Sequence, residues 1–310
     1  MIYFLKIIMI LIAFFLSRKI NLNLKNFDFP GKNKHQKKKV LTSSGIGPFV
    51  ILTLYIIYLI YFSTAEYSQY YFKIPQIWIA PLSILVFTLV SFYDDLNYIP
   101  FQVRLIIQLT IVYLCISLIP INQIFNFQTP IFNGLLPVKV DIFITVIFWT
   151  FVINSTNFID GYDGMFSFQT VSNFFGFATI FYLINEEFHL MISLFMFFIG
   201  IIFLPFNFLN KLKMYIGDAG SIPTGFILGW MIISLANMGH LLSAILINIL
   251  FLTDILTSLF IRIINKKSIF ERHNDFIFKK IIINYGAEKY YLIAIPTQII
   301  LILLSINFLN

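Results

Sequence analysis

Three short segments of this 310-residue sequence carry acidic and amide side chains of the types that can bind metal ions and phosphorylated substrates. They hold five of its fourteen acidic residues, namely Asp94, Asp95, Asp160, Asp163 and Asp218. Carboxylates are the ligands that Mg²⁺ prefers, with substrate phosphates and waters completing its octahedron. No cluster of Cys and His indicates zinc or iron. We therefore expect Mg²⁺ as the metal, with Mn²⁺ as the alternative.

Asp94 and Asp95 are adjacent in the sequence, so the electrostatic repulsion between carboxylates is strongest for this pair. Neighbouring carboxylates repel and raise each other's pKa, so such a pair is favoured where a cation neutralises it. A simpler interpretation is that both side chains only hydrate the end of an apolar helix. The pair alone does not decide between these two interpretations.

The second segment repeats a polar residue every three positions, at Asn154, Asn157, Asp160 and Asp163, and glycine follows each aspartate. If the segment is helical, this spacing places the side chains along one face, where they can bind a sugar, a base or a metal. The alternative is a solvated turn between two apolar helices.

The third segment, Gly217-Asp218-Ala219-Gly220-Ser221, precedes an apolar run. Its backbone N–H groups can bind an anion at a helix N-terminus. A plain N-cap accounts for Ser221 equally well.

The composition places these segments in a membrane protein. Hydrophobic residues make up 59% of the chain and charged residues 11%, with a mean hydropathy of +0.88. Soluble domains carry about 25% charged residues because their surfaces must be hydrated. The single cysteine, Cys115, rules out a disulfide framework within one chain.

Ten apolar runs have the length, about 20 residues, that a helix needs to cross a bilayer. They lie at 1–17, 46–63, 76–93, 103–120, 140–155, 165–184, 188–206, 222–238, 241–263 and 290–308. We predict an all-α polytopic membrane protein of about ten transmembrane helices, forming a single domain over residues 1–310. No small-residue cleavage site follows the first run, so we interpret it as a retained helix.

The basic residues predict the orientation, because Lys and Arg concentrate in cytoplasmic loops. Eighteen of the 21 lie in or beside alternate loops, at 18–45, 93–103, 154–164, 207–221 and 264–289. These loops are therefore predicted to be cytoplasmic, with both termini outside. All three acidic segments then share the cytoplasmic face. Orientation and phosphate-bearing substrates explain the net charge of +7 better than a nucleic-acid partner.

Taken together, the three segments resemble the polyprenyl-phosphate N-acetylhexosamine-1-phosphate transferase family. The matching motifs are Asp94-Asp95-Leu, Asn154-x-x-Asn157-Phe-x-Asp160-Gly-x-Asp163-Gly-Met and Gly217-Asp218-x-Gly220-Ser221. The resemblance covers nearly the whole chain, and it implies ten or eleven membrane helices. It also implies transfer of a sugar 1-phosphate from a UDP-N-acetylhexosamine to undecaprenyl or another polyprenyl phosphate, with release of UMP. The setting it implies is the bacterial inner membrane, where such a step primes cell-wall or surface-polysaccharide synthesis.

The resemblance also assigns roles. It makes Asp218 a metal ligand that Asn157 can join, and it places Asp94 and Asp95 beside the metal and the acceptor phosphate. Asp94 is then the candidate for deprotonating that phosphate. The surface for the nucleotide sugar includes Asn154, Asp160, Asp163, Gly217 and Ser221.

Two basic loops depart from the family pattern. In the first, Lys38 and Lys39 suit the lipid phosphate, although Ser44 replaces a glycine and a usual proline is missing. Binding of acidic lipid headgroups explains these lysines equally well. In the last, Arg272 and His273 are the expected polar contacts to substrate, and Phe276 or a neighbour replaces a second histidine. That replacement favours the N-acetylglucosamine-1-phosphate branch over the muramoyl-pentapeptide branch.

Two other functions remain open. A membrane transporter or channel uses acids inside its spans, yet here only Asp254 lies well within one. We expect a structural polar partner for Asp254 because an uncompensated acid at that depth costs about 2.5–3.5 kcal/mol. An inactive relative acting as a scaffold is the third interpretation, and a homodimer is compatible with each.

Overall fold

The computed structural model is a bundle of long α-helices. It describes residues 2–28, 40–42, 44–67, 74–118, 126–128, 133–135, 137–160, 162–208, 213–267 and 276–309. Within these ranges the helices are α1 (Ile2–Asn23), α2 (Ile46–Tyr67), α3 (Ile74–Leu96), α4 (Phe101–Leu118), α5 (Val138–Ile159), α6 (Met165–Leu183), α7 (Glu187–Phe208), α8 (Asp218–Asn237), α9 (Leu241–Ile264), α10 (Ile277–Tyr285) and α11 (Ala287–Ile306). Two antiparallel pairs of short strands join β1 (Phe27–Asp28) to β2 (Val40–Leu41) and β3 (Asn126–Gln128) to β4 (Asn133–Leu135).

Each predicted span coincides with one of these helices, and the ends differ by a few residues. Six of the described helices are long and apolar enough to cross a membrane, namely α3, α5, α7, α8, α9 and α11. Shorter apolar helical stretches lie at Ile46–Leu59 and Phe101–Ser117. The chain is therefore a multi-pass membrane protein, and the count of about ten crossings stays a prediction. Helix α10 was not predicted, since it is short and lies within the expected loop 264–289.

Helix α8 is the centre of the bundle. Nearly all of its side chains are buried, because it packs against α3 and α5 and also contacts α2, α6 and α9. A helix that is apolar around its whole circumference needs such surroundings. The N-terminus of α8 therefore opens between the ends of its neighbours.

Small residues let α5 and α8 approach closely. A Cβ atom added to Gly225 would lie 2.6 Å from the backbone Cα of Ile153, and one added to Gly229 would lie 2.2 Å from the Trp149 ring. The Trp149 Nε1–H donates to the carbonyl of Phe226 at 2.8 Å. This interface fixes the polar end of α5 against the start of α8.

We expect Gly225→Ala to destabilise the protein. By helix propensity alone, alanine would stabilise the helix by about 1 kcal/mol. The clash with the Ile153 backbone should reverse the sign, because overpacking costs about 1–3 kcal/mol. Thermal unfolding in detergent would show a lower midpoint for Gly225→Ala. The control is Gly176→Ala, whose added carbon meets side-chain atoms of Ile247 and Ile302, the nearest at 3.0 Å, and no backbone atom among these nearest neighbours. Equal midpoints for the two variants would contradict the prediction.

A short segment before α2 docks beside the start of α8. The Tyr215 N–H donates to the Leu41 carbonyl at 2.8 Å, and the Gly45 N–H donates to the Ile216 carbonyl at 3.0 Å. Ser44 is fully buried, and its hydroxyl donates to the Tyr215 carbonyl at 2.6 Å. The serine that departs from the family pattern therefore ties this segment to the chain leading into α8.

Candidate active site

The three acidic segments meet at one end of the bundle. Asp94 and Asp95 lie in the last turn of α3, Asp160 directly follows α5, and Asp218 is the first residue of α8. Helices that alternate in direction bring the end of one beside the start of another. The fold therefore gathers acids that are far apart in the sequence.

Arg104, in the first turn of α4, links two of these acids. Its Nη1 atom donates to the Oδ2 of Asp94 at 2.6 Å and to the Oδ2 of Asp218 at 2.7 Å. The second Asp94 oxygen accepts from the backbone N–H of Ile99 at 2.6 Å. The Asp94 and Asp218 side chains are only 8% and 16% exposed, so their charges need this cation more than surface charges would.

Arg104 has a further N–H donor in the same guanidinium. Its Nε is buried and makes no hydrogen bond with the described residues. A guanidinium presents its donors in a rigid fork that suits phosphate oxygens. Sequence reasoning missed this residue because it treated Arg104 only as an orientation charge. The available signal was a single cation in an apolar helix, ten positions after Asp94.

The backbone N–H groups at the start of α8 are bound by carboxylates of the protein itself. Gly217 donates to the Oδ2 of Asp160 at 2.9 Å. The Asp218 N–H donates to the Oδ1 of Asp95 and the Ala219 N–H to its Oδ2, each at 3.4 Å. Gly217 has φ +72°, which favours glycine. The anion expected at this helix terminus is thus supplied by Asp95 and Asp160, which fix the entry to α8.

The polar strip of the second segment is helical as far as Ile159. Helix α8 begins at Asp218 with Gly217 as its N-cap, so Ser221 lies inside the first turn and is not the N-cap. The Ser221 hydroxyl donates to the Asn157 amide oxygen at 3.0 Å. Asn154 donates to Gln108 of α4 at 2.6 Å. The two asparagines therefore tie α5 to different neighbours.

Asp163 lies beyond α5, in the turn that leads into α6. Its carboxylate forms an ion pair with Lys213, and its backbone carbonyl accepts from the Tyr291 hydroxyl at 2.7 Å. Gly164 follows with φ +78°, close to the rings of Phe208 and Tyr291. These contacts hold the turn against α7 and α11.

The oxygen ligands of this site are compatible with a magnesium ion whose coordination is completed by substrate. The oxygens of Asp94 and Asp218 share one nitrogen of Arg104, and Asn157 contributes an amide oxygen on the neighbouring helix. Among the described residues no group of three or more His, Cys, Asp or Glu side chains is placed to hold a metal ion by itself. Mg²⁺ commonly uses only one or two carboxylates together with phosphates and waters, so these residues fit it.

Four predicted substrate contacts, Lys38, Lys39, Arg272 and His273, lie outside the described residues. Phe276, considered as the replacement for a second histidine, is described and only 2% exposed. Its ring stacks on Phe278 at 5.6 Å and packs against Phe158 at 6.1 Å. It is therefore a packing residue at the start of α10.

Comparison with known proteins finds similarity over most of the chain. A family model described as glycosyl transferase family 4 matches residues 77–236, a range that contains all three acidic segments and Arg104. Phospho-N-acetylmuramoyl-pentapeptide-transferases of Staphylococcus epidermidis and Staphylococcus saprophyticus are each 25% identical to the chain, over 281 and 283 residues. The alignment covers 83% of this chain and 83% of each relative.

Proposed function

Because the chain belongs to glycosyl transferase family 4, we propose that it transfers an N-acetylhexosamine 1-phosphate from a UDP-sugar to a polyprenyl phosphate. The products are UMP and a lipid-linked sugar diphosphate that primes a cell-wall or surface glycan. The proposed location is the bacterial inner membrane, with the site on the cytoplasmic face and both termini outside.

The observation that carries this proposal is the cluster of Asp94, Arg104 and Asp218 at the helix ends. Transfer of a phosphoryl group between two anionic partners needs positive charge where negative charge develops. The buried Nε of Arg104, which lacks a partner among the described residues, supplies one such donor.

We assign the metal to Asp218, which Asn157 can join, with Asp94 beside it. When bound, Mg²⁺ would neutralise the donor diphosphate as the phosphoryl group moves. Asp94 is the proposed base toward the acceptor phosphate. Asp95 holds the first turn of α8, and therefore Asp218, through its contacts with two backbone N–H groups.

The nucleotide sugar is assigned to Asp160 and Asp163, together with Asn154, Gly217 and Ser221. Asp160, Asp163 and the neighbouring metal ligand Asn157 form a strip that we call the donor strip. Lys38 and Lys39 are proposed to attract the lipid phosphate, and Arg272 and His273 to contact substrate. The names of the relatives point to a muramoyl-pentapeptide donor for those proteins. The altered histidine loop favours N-acetylglucosamine here, so the choice of sugar stays a prediction.

A donor panel tests the proposal. Purified protein in detergent is incubated with undecaprenyl phosphate, Mg²⁺ and either UDP-N-acetylglucosamine, UDP-N-acetylgalactosamine or UDP-N-acetylmuramoyl-pentapeptide. We expect UMP and a lipid-linked product from one donor, and neither after chelation of the metal. Mn²⁺ should restore part of the rate.

One control and two outcomes decide between the alternatives. Omitting the lipid phosphate should abolish UMP release, which excludes simple hydrolysis of the donor. A folded protein that gives no UMP with any donor would contradict the proposal and favour the scaffold. Ion flux through liposomes without lipid product would instead favour the transporter.

A further inference from the structure

Asp254, within α9, is bonded to the first turn of α10. Its Oδ1 accepts from the Ile277 N–H at 2.7 Å, and its Oδ2 accepts from the Phe278 N–H at 2.9 Å. The first N–H groups of a helix have no partner within the helix, and a carboxylate there also interacts favourably with the helix dipole. Asp254 thus has the structural polar partner that its depth in the membrane requires.

The next residue of α10, Lys279, reaches from α10 to the donor strip. Its side chain is buried, and its Nζ lies 4.0 Å from the centre of the Tyr162 ring and 4.5 Å from that of Phe276. Burial raises the pKa of Tyr162 above its ordinary value, so the phenol is neutral at physiological pH and its ring face can attract the ammonium. Tyr162 stands between Asp160 and Asp163.

Aromatic packing completes the connection. Phe278 meets Tyr162 edge to face with ring centres 5.4 Å apart, and Phe276 packs on Phe158. Phe158 and Tyr162 alternate with the polar residues of the donor strip. A displacement of α10 would therefore shift the backbone that carries those residues.

We propose that Asp254 is a positioning residue that fixes the donor strip through α10. Its carboxylate holds the N-terminus of α10, and α10 in turn holds Tyr162 and Phe158. The assignment of the strip to the nucleotide sugar rests on the proposed function, whereas the mechanical link does not. Asp254 itself contacts no substrate.

Hydrogen–deuterium exchange tests the link without any activity. In Asp254→Leu, which removes both acceptor oxygens, we expect faster exchange in peptides covering 277–285 and 157–165. Asp254→Asn keeps one acceptor oxygen and should show a smaller increase. Thr253→Val is the matched control, because the Thr253 hydroxyl bonds only within α9.

Kinetics then separate positioning from general loss of stability. We expect the donor KM of Asp254→Leu to rise about tenfold with kcat and the lipid KM changed less than about twofold, the pattern of lost binding. Lys279→Met, which keeps the length but removes the charge, should give the same selective rise. The donor KM of Asp254→Asn should lie between those of Asp254→Leu and the parent protein.

Three outcomes would overturn the inference. Unchanged exchange over 277–285 in Asp254→Leu would show that the carboxylate does not hold α10. Faster exchange over 277–285 with unchanged exchange over 157–165 would show that α10 does not hold the donor strip. A lower kcat with an unchanged donor KM would assign Asp254 to stability alone. If the parent protein is inactive with every donor, the proposed function is refuted. The exchange data would still decide whether Asp254 positions the donor strip.

Discussion

Asp218→Asn is expected to lower kcat by on the order of 10³-fold at saturating substrates. A catalytic metal contributes several kcal/mol of charge stabilisation, and about 1.4 kcal/mol corresponds to a tenfold change in rate. The amide keeps the size of the side chain and one oxygen, but it removes the charge that attracts the cation. UMP release is the measurement.

The loss should be partly compensated by metal. A weakened ligand raises the Mg²⁺ concentration needed for half-maximal rate, and Mn²⁺ binding followed by electron paramagnetic resonance should weaken in parallel, independently of turnover. The fold should persist, because Asp218 contacts Asp95 through its backbone N–H, which the substitution leaves in place.

Glu288→Gln is the matched control for this variant. It is the same acid-to-amide change at an exposed position in the first turn of α11, and it should keep the parent rate. If Asp218→Asn kept the parent rate and metal dependence, Asp218 would be removed from the proposed metal centre.

The helical architecture was predictable because the bilayer imposes a simple length and composition on every span. The apolar runs located the helices beside the polar segments, such as α8, which begins at Asp218. The exact ends of the helices were less predictable. Hydropathy marks where the apolar side chains stop, whereas the backbone hydrogen bonds of a helix can continue beyond that point. Helix α5 therefore continues to Ile159 and includes Asn157, which lies beyond the predicted span 140–155.

Contacts within the site were harder to foresee because they depend on the meeting of distant helix ends. The motifs identified Asp95 and Asp160 as site residues, but nothing in the sequence indicated that their carboxylates bind backbone N–H groups at 217–219. The Asp254 contact with α10 was likewise hidden, because α10 is too short and amphipathic to stand out. Backbone donors carry no sequence signature, so only the fold exposes them.

Arg104 is the residue whose role changes most between sequence and structure. As one of eighteen cations on the predicted cytoplasmic side it indicated orientation. In the fold it neutralises Asp94 and Asp218 together. Removing it would leave two poorly exposed carboxylates facing each other, and it would remove the Nε donor assigned to substrate.

We therefore expect Arg104→Gln to lower kcat by on the order of 10²–10³-fold even at saturating Mg²⁺, the range found when one donor to a developing charge is removed. Arg104→Lys keeps the charge but loses the fork geometry, and it should retain about a tenth of the parent rate. Arg18→Gln, a substitution of the same type near the end of α1, should leave the rate unchanged.

The metal dependence of Arg104→Gln distinguishes two roles for the guanidinium. If Arg104 only separates the two carboxylates until the metal arrives, its loss would strengthen Mg²⁺ binding and saturating Mg²⁺ would restore the parent rate. If it also contacts the donor diphosphate, Mg²⁺ binding would strengthen while kcat stays low. We expect the second pattern, because the buried Nε has no acceptor among the described residues and an unpaired buried donor is costly unless a ligand satisfies it.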